Sequence, residues 1–198
     1  MANSLIRGLL AKGFQPSSII VADVDNEKLE VLSSEYGIRL ADNQSIAREA
    51  NVVVLAVKPQ VIEEVCTNIS LQADSSLVVS VAAGTTIALL EKWLGNSTAI
   101  IRSMPNTPAL IGKGATGLFA NKFVSGKQKD LAKALMDGVG ISVWVENESD
   151  MDTVTAVSGS GPAYYFLFME AMQETAAELG LSDDVAQQLI YQLSLIHI

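Results

Sequence analysis

The stretch Ile100-Ile101-Arg102-Ser103-Met104-Pro105-Asn106-Thr107-Pro108-Ala109-Leu110-Ile111-Gly112-Lys113-Gly114-Ala115-Thr116-Gly117 decides how the rest of the chain is read. It opens as a short β-branched strand and breaks on two prolines three residues apart. Proline fixes its own φ and restricts the residue before it, so this spacing predicts an extended, rigid turn in place of a helix. The turn presents Asn106 and Thr107 at the carboxyl end of a strand. An amide and a hydroxyl held on a stiff loop lose little side-chain entropy on meeting a small polar ligand. The same two residues equally suit a structural turn in which their oxygens bond nearby backbone.

Outward from this stretch the chain alternates strand and helix. Residues 51–57, Asn51-Val52-Val53-Val54-Leu55-Ala56-Val57, form an apolar run too short and too β-branched for a helix, ended by Lys58-Pro59, and read as a central parallel strand. Residues 18–23, 77–81 and 99–103 read as further strands. Helices are predicted over 1–12, 25–36, 43–50, 61–69 and 87–94, the first stopped by Gly13 and the second by Gly37. Past the proline turn, strands at 115–120 and 141–146 flank a helix at 125–136. This repetition predicts a Rossmann-like, doubly wound parallel sheet. Because the chain opens on a helix, that sheet is expected to lack its first strand.

The composition changes after Lys133. From residue 134 onward there is no Lys or Arg, while ten acids appear, and the pattern becomes helical. Pro162 follows Ser158-Gly159-Ser160-Gly161 as the first residue of a helix expected over 163–179 and ended by Gly180. Tyr164, Tyr165, Phe166, Leu167, Phe168, Met169 and Met172 make that helix apolar nearly all round. Too little chain follows to cover it, so packing against another subunit is expected. The division falls at residues 1–150, a dinucleotide-binding domain, and 151–198, the start of an all-α dimerisation and substrate domain.

Forty-nine per cent of the 198 residues are hydrophobic, enough for a core, and the formal net charge is −9. An acidic chain does not favour nucleic acid or an anionic membrane surface as partner. No apolar run reaches the length of a bilayer span and no leader-like segment opens the chain, which sets the expectation of a soluble cytoplasmic protein. The single Cys66 agrees and reads as a buried small hydrophobe. His197 is the only histidine, so a Ser-His-Asp triad or a histidine metal site has no scaffold, and no metal is expected. Glu146, Glu148, Asp150 and Asp152 read as a solvated loop and helix start.

Ligands of doubly wound sheets sit at the carboxyl ends of the strands. Asp23, Lys58-Pro59, Ala82-Ala83-Gly84 and Asn106-Thr107 collect there, which implies a dinucleotide site. Asp23, at the end of the second strand of such a sheet, would accept hydrogen bonds from a ribose 2′-hydroxyl and repel a 2′-phosphate, a tilt toward NADH. It also suits the amino end of the next helix. Lys58 could line the cleft or be a solvated surface lysine.

Four motifs in order resemble the pyrroline-5-carboxylate reductase family: Ala56-Val57-Lys58-Pro59, Val79-Ser80-Val81-Ala82-Ala83-Gly84, Met104 to Leu110 with Gly114-Ala115-Thr116, and Val157-Ser158-Gly159-Ser160-Gly161-Pro162-Ala163-Tyr164. The resemblance implies a Rossmann domain followed by a helical domain through which subunits interlock. It implies hydride transfer from NADPH or NADH to the C=N carbon of Δ1-pyrroline-5-carboxylate, giving L-proline. It implies that Asp23, Asp25, Asn43, Ala56, Val57, Lys58, Pro59, Val81, Ala82 and Ala83 line the dinucleotide, with Asn106 and Thr107 near its nicotinamide end.

By the same likeness the family's opening strand and Gly-x-Gly turn precede Met1, its substrate segment follows residue 198, and Leu193-Ser194-Leu195-Ile196-His197-Ile198 departs from the family pattern. Little activity is therefore expected of these residues alone. Two other functions compete. A β-hydroxyacid dehydrogenase shares the layout but needs a lysine on the long helix as proton donor, and the last lysine is Lys133. A dimeric dinucleotide-binding sensor would share the fold without the chemistry.

Overall fold

The computed structural model describes residues 1–72 and 76–193. The expectations placed on 194–198, His197 among them, lie outside the described residues. Three apolar runs pair side by side as parallel strands: β3 (Val52–Leu55), β4 (Leu77–Ser80) and β5 (Ala99–Met104), with Leu55 opposite Ser80 and Ser80 opposite Arg102. β6 (Gly114–Ala120) joins β5 antiparallel, and β7 (Gly140–Trp144) joins β6 in parallel. The sheet is therefore mixed, in the order β3-β4-β5-β6-β7. The connection from β5 to β6 spans only residues 105–113, whereas a parallel return needs a crossover of about a dozen residues or more. The shortness of the proline loop reverses the strand.

The strand expected over 18–23 is shorter than its sequence suggests. Pro16–Ser18 forms a 3-10 turn, leaving β1 as Ile20–Val21, paired in parallel with β2 (Arg39–Leu40) in a separate two-stranded sheet. Around the proline stretch, Asn106 is extended but Thr107–Ile111 forms a 3-10 helix with Pro108 in its first turn. The rigid extended turn is thus confined to Pro105-Asn106. Proline is compatible with a helical first turn because its φ is already suitable and its missing N–H would be unpaired there anyway.

Helices cover both faces of the five-stranded sheet. On one face α1 (Ala2–Ala11) and α6 (Gly126–Met136) bury Leu5, Ala132, Leu135 and Met136 against Leu77, Val79, Ile101 and Leu118. On the other, α4 (Ile62–Thr67) and α5 (Ile87–Leu94) bury Ile62, Cys66 and Leu90 against Val53, Leu55, Val78 and Ile100. Each such aliphatic side chain contributes about 1.5–3 kcal/mol on leaving water. Helix starts follow local side-chain chemistry. Asp25 caps α2 (Asn26–Tyr36), Asp42 caps α3 (Asn43–Glu49), and Ser125 with Gln128 forms a reciprocal capping box on α6.

A short helix, α7 (Asp150–Val154), lies against β6 where Gly117 leaves room. A Cβ at Gly117 would stand 2.6 Å from Val154 Cγ1, so any larger residue would lift the helix. α7 runs directly into a π-helical turn, Thr155–Gly159. The chain divides into two compact units after Gly159, with α7 and the π turn in the first.

The second unit begins at Ser160. Its helix α8 (Gly161–Glu178) carries Pro162 in the first turn and packs against α9 (Asp183–Leu193), where Ala186 and Ile190 are buried. Tyr164, Tyr165, Phe166, Leu167 and Phe168 are 62–72% exposed. Phe168, Met172, Thr175, Leu179 and Leu181 line an open apolar groove of about 410 Å³ in this unit. Among the described residues no helix is long and apolar enough to cross a membrane.

Candidate functional site

The parallel register ends β3 and β4 level, with Leu55 opposite Ser80 and Ser80 opposite Arg102, while β5 runs two residues further to Met104, so the loops that follow the three strands form a row at one end of the sheet. Ala56 and Val57 are half-buried and Lys58 and Pro59 exposed after β3. After β4, Val81 is half-buried, Ala82 buried and Ala83 exposed, before Gly84 turns the chain with φ +72°. The Ala82 N–H donates to Ser80 Oγ at 3.3 Å, which folds this loop back on its own strand. Asn106 and Thr107 follow β5. Three of the expected segments are therefore assembled by one sheet.

Asp23, Asp25 and Asn43 belong to the smaller sheet, where the register of Val21 with Leu40 places the ends of β1 and β2 together. Asp23 Oδ1 accepts the Asp25 N–H at 3.0 Å, and Asp25 Oδ1 accepts the Lys28 N–H at 3.2 Å. The Lys28 side chain, hydrogen-bonded and 2.7 Å away as an ion pair, holds the Asp25 carboxyl below the usual carboxylate range. Asn43 is exposed in the first turn of α3 behind its cap, Asp42. These acids shape a turn and a helix start.

Asn106 is engaged at both ends of its amide. Its Oδ1 accepts the Ala115 N–H at 2.8 Å and its Nδ2 donates to the Ser158 carbonyl at 3.0 Å. One side chain thus fastens the loop after β5 to the start of β6 and to the π turn. These bonds reach backbone 9 and 52 residues away, so Asn106 braces distant segments and does not close a local turn. Thr107 stands exposed beside it.

Two residues outside the expected set organise the same region. Arg102, in the middle of an otherwise uncharged strand, is 7% exposed and pairs with Glu148 at 2.8 Å. The same oxygen, Glu148 Oε1, accepts the Ile87 N–H at the start of α5 at 2.6 Å. Glu148 is therefore an anchored group rather than part of a solvated loop. A lone arginine inside an apolar strand must have a partner, and that was the available signal. Its partner, 46 residues away, could not be read locally.

Other polar groups are structural. Lys133 Nζ meets Asp137 Oδ2 at 2.8 Å and the Ser142 carbonyl at 3.0 Å, covering part of the outer edge of the sheet. Burial of the Cys66 thiol pushes its pKa up to about 11. Among the described residues no cluster of three or more His, Cys, Asp or Glu side chains could hold a metal ion.

The two ends of the chain match different family models: residues 1–84 "NADP oxidoreductase coenzyme F420-dependent" and residues 148–195 "Pyrroline-5-carboxylate reductase dimerisation". The chain is 44% identical over 197 residues to a pyrroline-5-carboxylate reductase of Pseudomonas aeruginosa, covering 98% of this chain and 72% of the relative. It superposes on a pyrroline-5-carboxylate reductase structure from Coxiella burnetii with a TM-score of 0.93 and 43% identity, over 98% of this chain and 73% of that one. A Plasmodium falciparum pyrroline carboxylate reductase with NADP bound gives a TM-score of 0.80 at 28% identity, over 96% and 71% of the two chains. With the four motifs set along one sheet and its following helix, and with this identity sustained over nearly the whole chain, the protein belongs to the pyrroline-5-carboxylate reductase family.

Proposed function

We propose that the protein reduces Δ1-pyrroline-5-carboxylate to L-proline with NADPH or NADH, and that the row of loops after β3, β4 and β5, at one end of the sheet, is its dinucleotide shelf. The single observation that carries this reading is the row itself: Ala56, Ala82, Ala83 and Gly84 place small residues at adjacent strand ends. Around Gly84 no atom stands within 4 Å of where a Cβ would be, so backbone there can approach a ligand closely. These residues fit a dinucleotide.

On this reading Ala56, Val57, Val81, Ala82 and Ala83 flank the cofactor and exclude water, while Lys58 and Pro59 border its polar part. Asp23, Asp25 and Asn43 sit at the ribose end. Asn106 acts by bracing the loop that carries Thr107 toward the nicotinamide end. When bound, the nicotinamide supplies hydride. A protonated cyclic imine already carries the positive charge that draws hydride, so the protein's contribution is chiefly orientation. The lack of a lysine on α8 disfavours a carbonyl-reducing dehydrogenase, and the motif set favours a reductase over a sensor.

The dimerisation segment matched at 148–195 supports a homo-oligomer, and the exposed aromatic run of α8 with the groove beside it supports this helix, 163–179, as its contact. The two-domain division, a dinucleotide-binding part and a helical dimerisation part, and a cytoplasmic location belong to the same proposal. Oxidation of NADPH and NADH, followed by absorbance with pyrroline-5-carboxylate as substrate, tests it. Substrate-dependent oxidation by a protein spanning the full length of its relatives is the expected result, with these 198 residues alone as the low-activity control. Cofactor binding without turnover would instead favour the sensor.

A further inference from the structure

Arg102 lies on the sheet face that α5 covers, with Ser80 beside it in β4 and Phe119 beside it in β6. A guanidinium so enclosed needs a counter-charge, and Glu148 provides the one ion pair it makes among the described residues. That carboxylate does a second task. Its Oε1 also receives the N–H of Ile87, the first residue of α5, while the preceding Thr86 side chain accepts the Leu89 N–H. The start of α5 is thus gripped from two sides. The loop Val81–Gly84 runs directly into that start, so its position depends on the grip.

We propose that Glu148 is a positioning residue for the dinucleotide: by joining Arg102 of β5 to the first turn of α5, it fixes the loop Val81–Gly84 in the shape the cofactor meets. The inference rests on the reductase reading above. It also links two parts of the chain, because residue 148 is the first of the matched dimerisation segment and its partners lie under the cofactor shelf. At metal sites, removing an outer-shell hydrogen bond that orients a ligand typically changes affinity or activity about 10- to 100-fold, and an effect at the low end of that range is expected for this loop.

Removing Glu148 alone strands a buried charge, so Glu148→Ala could simply unfold the protein. Paired substitutions separate folding from positioning. In Arg102→Met/Glu148→Met the buried pair becomes apolar, which restores packing but leaves the Ile87 N–H without its acceptor. In Arg102→Gln/Glu148→Gln an amide oxygen remains for that N–H. NADPH affinity from fluorescence titration, the NADPH KM and kcat with pyrroline-5-carboxylate, and thermal midpoints are measured for both and for the unsubstituted protein, each in a chain spanning the full length of the relatives.

The expected result is a double-Met protein with a near-normal midpoint, an NADPH Kd and KM raised about tenfold, and kcat at saturation within about twofold, with the double-Gln protein close to normal in all. A double-Met protein that binds NADPH as tightly as the unsubstituted one overturns the role of Glu148 and leaves the reductase reading intact. If the unsubstituted protein neither binds NADPH nor oxidises it with the substrate, the reductase reading fails and the positioning role falls with it.

Discussion

Asn106 donates from Nδ2 to the carbonyl of Ser158, 3.0 Å away and 52 residues further along the chain. The bond closes the loop after the third parallel strand onto the only π-helical turn among the described residues. Single π turns within helical segments are frequent at functional sites. Asn106→Asp keeps an oxygen for the Ala115 N–H but removes the donor and adds a charge facing a carbonyl. A loss of about 1–3 kcal/mol in urea unfolding is expected, with faster amide exchange in residues 155–159. Unchanged exchange there would show that the π turn does not rely on this bond.

Gly117 and Val154 make the closest argument for a packing constraint. Gly117→Ala places a methyl 2.6 Å from Val154 Cγ1 and is expected to destabilise the protein by about 1–3 kcal/mol. Adding Val154→Ala should recover part of that loss, giving a coupling energy in a double-mutant cycle of about 0.5 kcal/mol or more. Strict additivity would mean that α7 moves freely.

Asp137 has a pH signature. Desolvation raises its pKa, but hydrogen bonds from Lys133 and Ser142 outweigh that and hold it below the usual value of 3.8. A carboxyl depressed in the folded state contributes stability above its unfolded pKa and loses it as pH falls through the folded value. Stability should therefore fall below about pH 4, less steeply in Asp137→Asn than in the unsubstituted protein. Denaturant titrations between neutral pH and pH 2 follow this difference, and parallel curves would remove Asp137 from the account.

Cys66 is fully buried and its thiol is pushed up to about 11, so the reactive thiolate is scarce and shielded near neutral pH. A thiol reagent such as DTNB should leave the folded protein unmodified on the minute timescale and titrate one thiol in guanidinium. Rapid reaction without denaturant would mean that α4 opens locally.

Phe168 is 65% exposed and lines the groove on α8. Phe168→Glu should convert a dimer to monomers in sedimentation velocity while leaving the helical circular dichroism intact. A dimer that persists would move the interface elsewhere on the chain.

The strand and helix order and most helix starts were legible because each is encoded within a few residues: apolar runs of strand length, Asp25 and Ser125 ahead of helices, Gly37 behind one. The family was legible for the same reason, through short motifs at fixed places. Reversal of β6, the engagement of both ends of the Asn106 amide, and the unit boundary after Gly159 were settled only by the folded chain. Glu148 is the sharpest case. Amid neighbouring acids it reads as solvated, yet Arg102 and the Ile87 N–H, 46 and 61 residues away, converge on one of its oxygens. Periodicity and capping are local properties that sequence alone determines. Which buried charge meets which carboxylate depends on how the sheet and helices pack, so only the tertiary structure decides it.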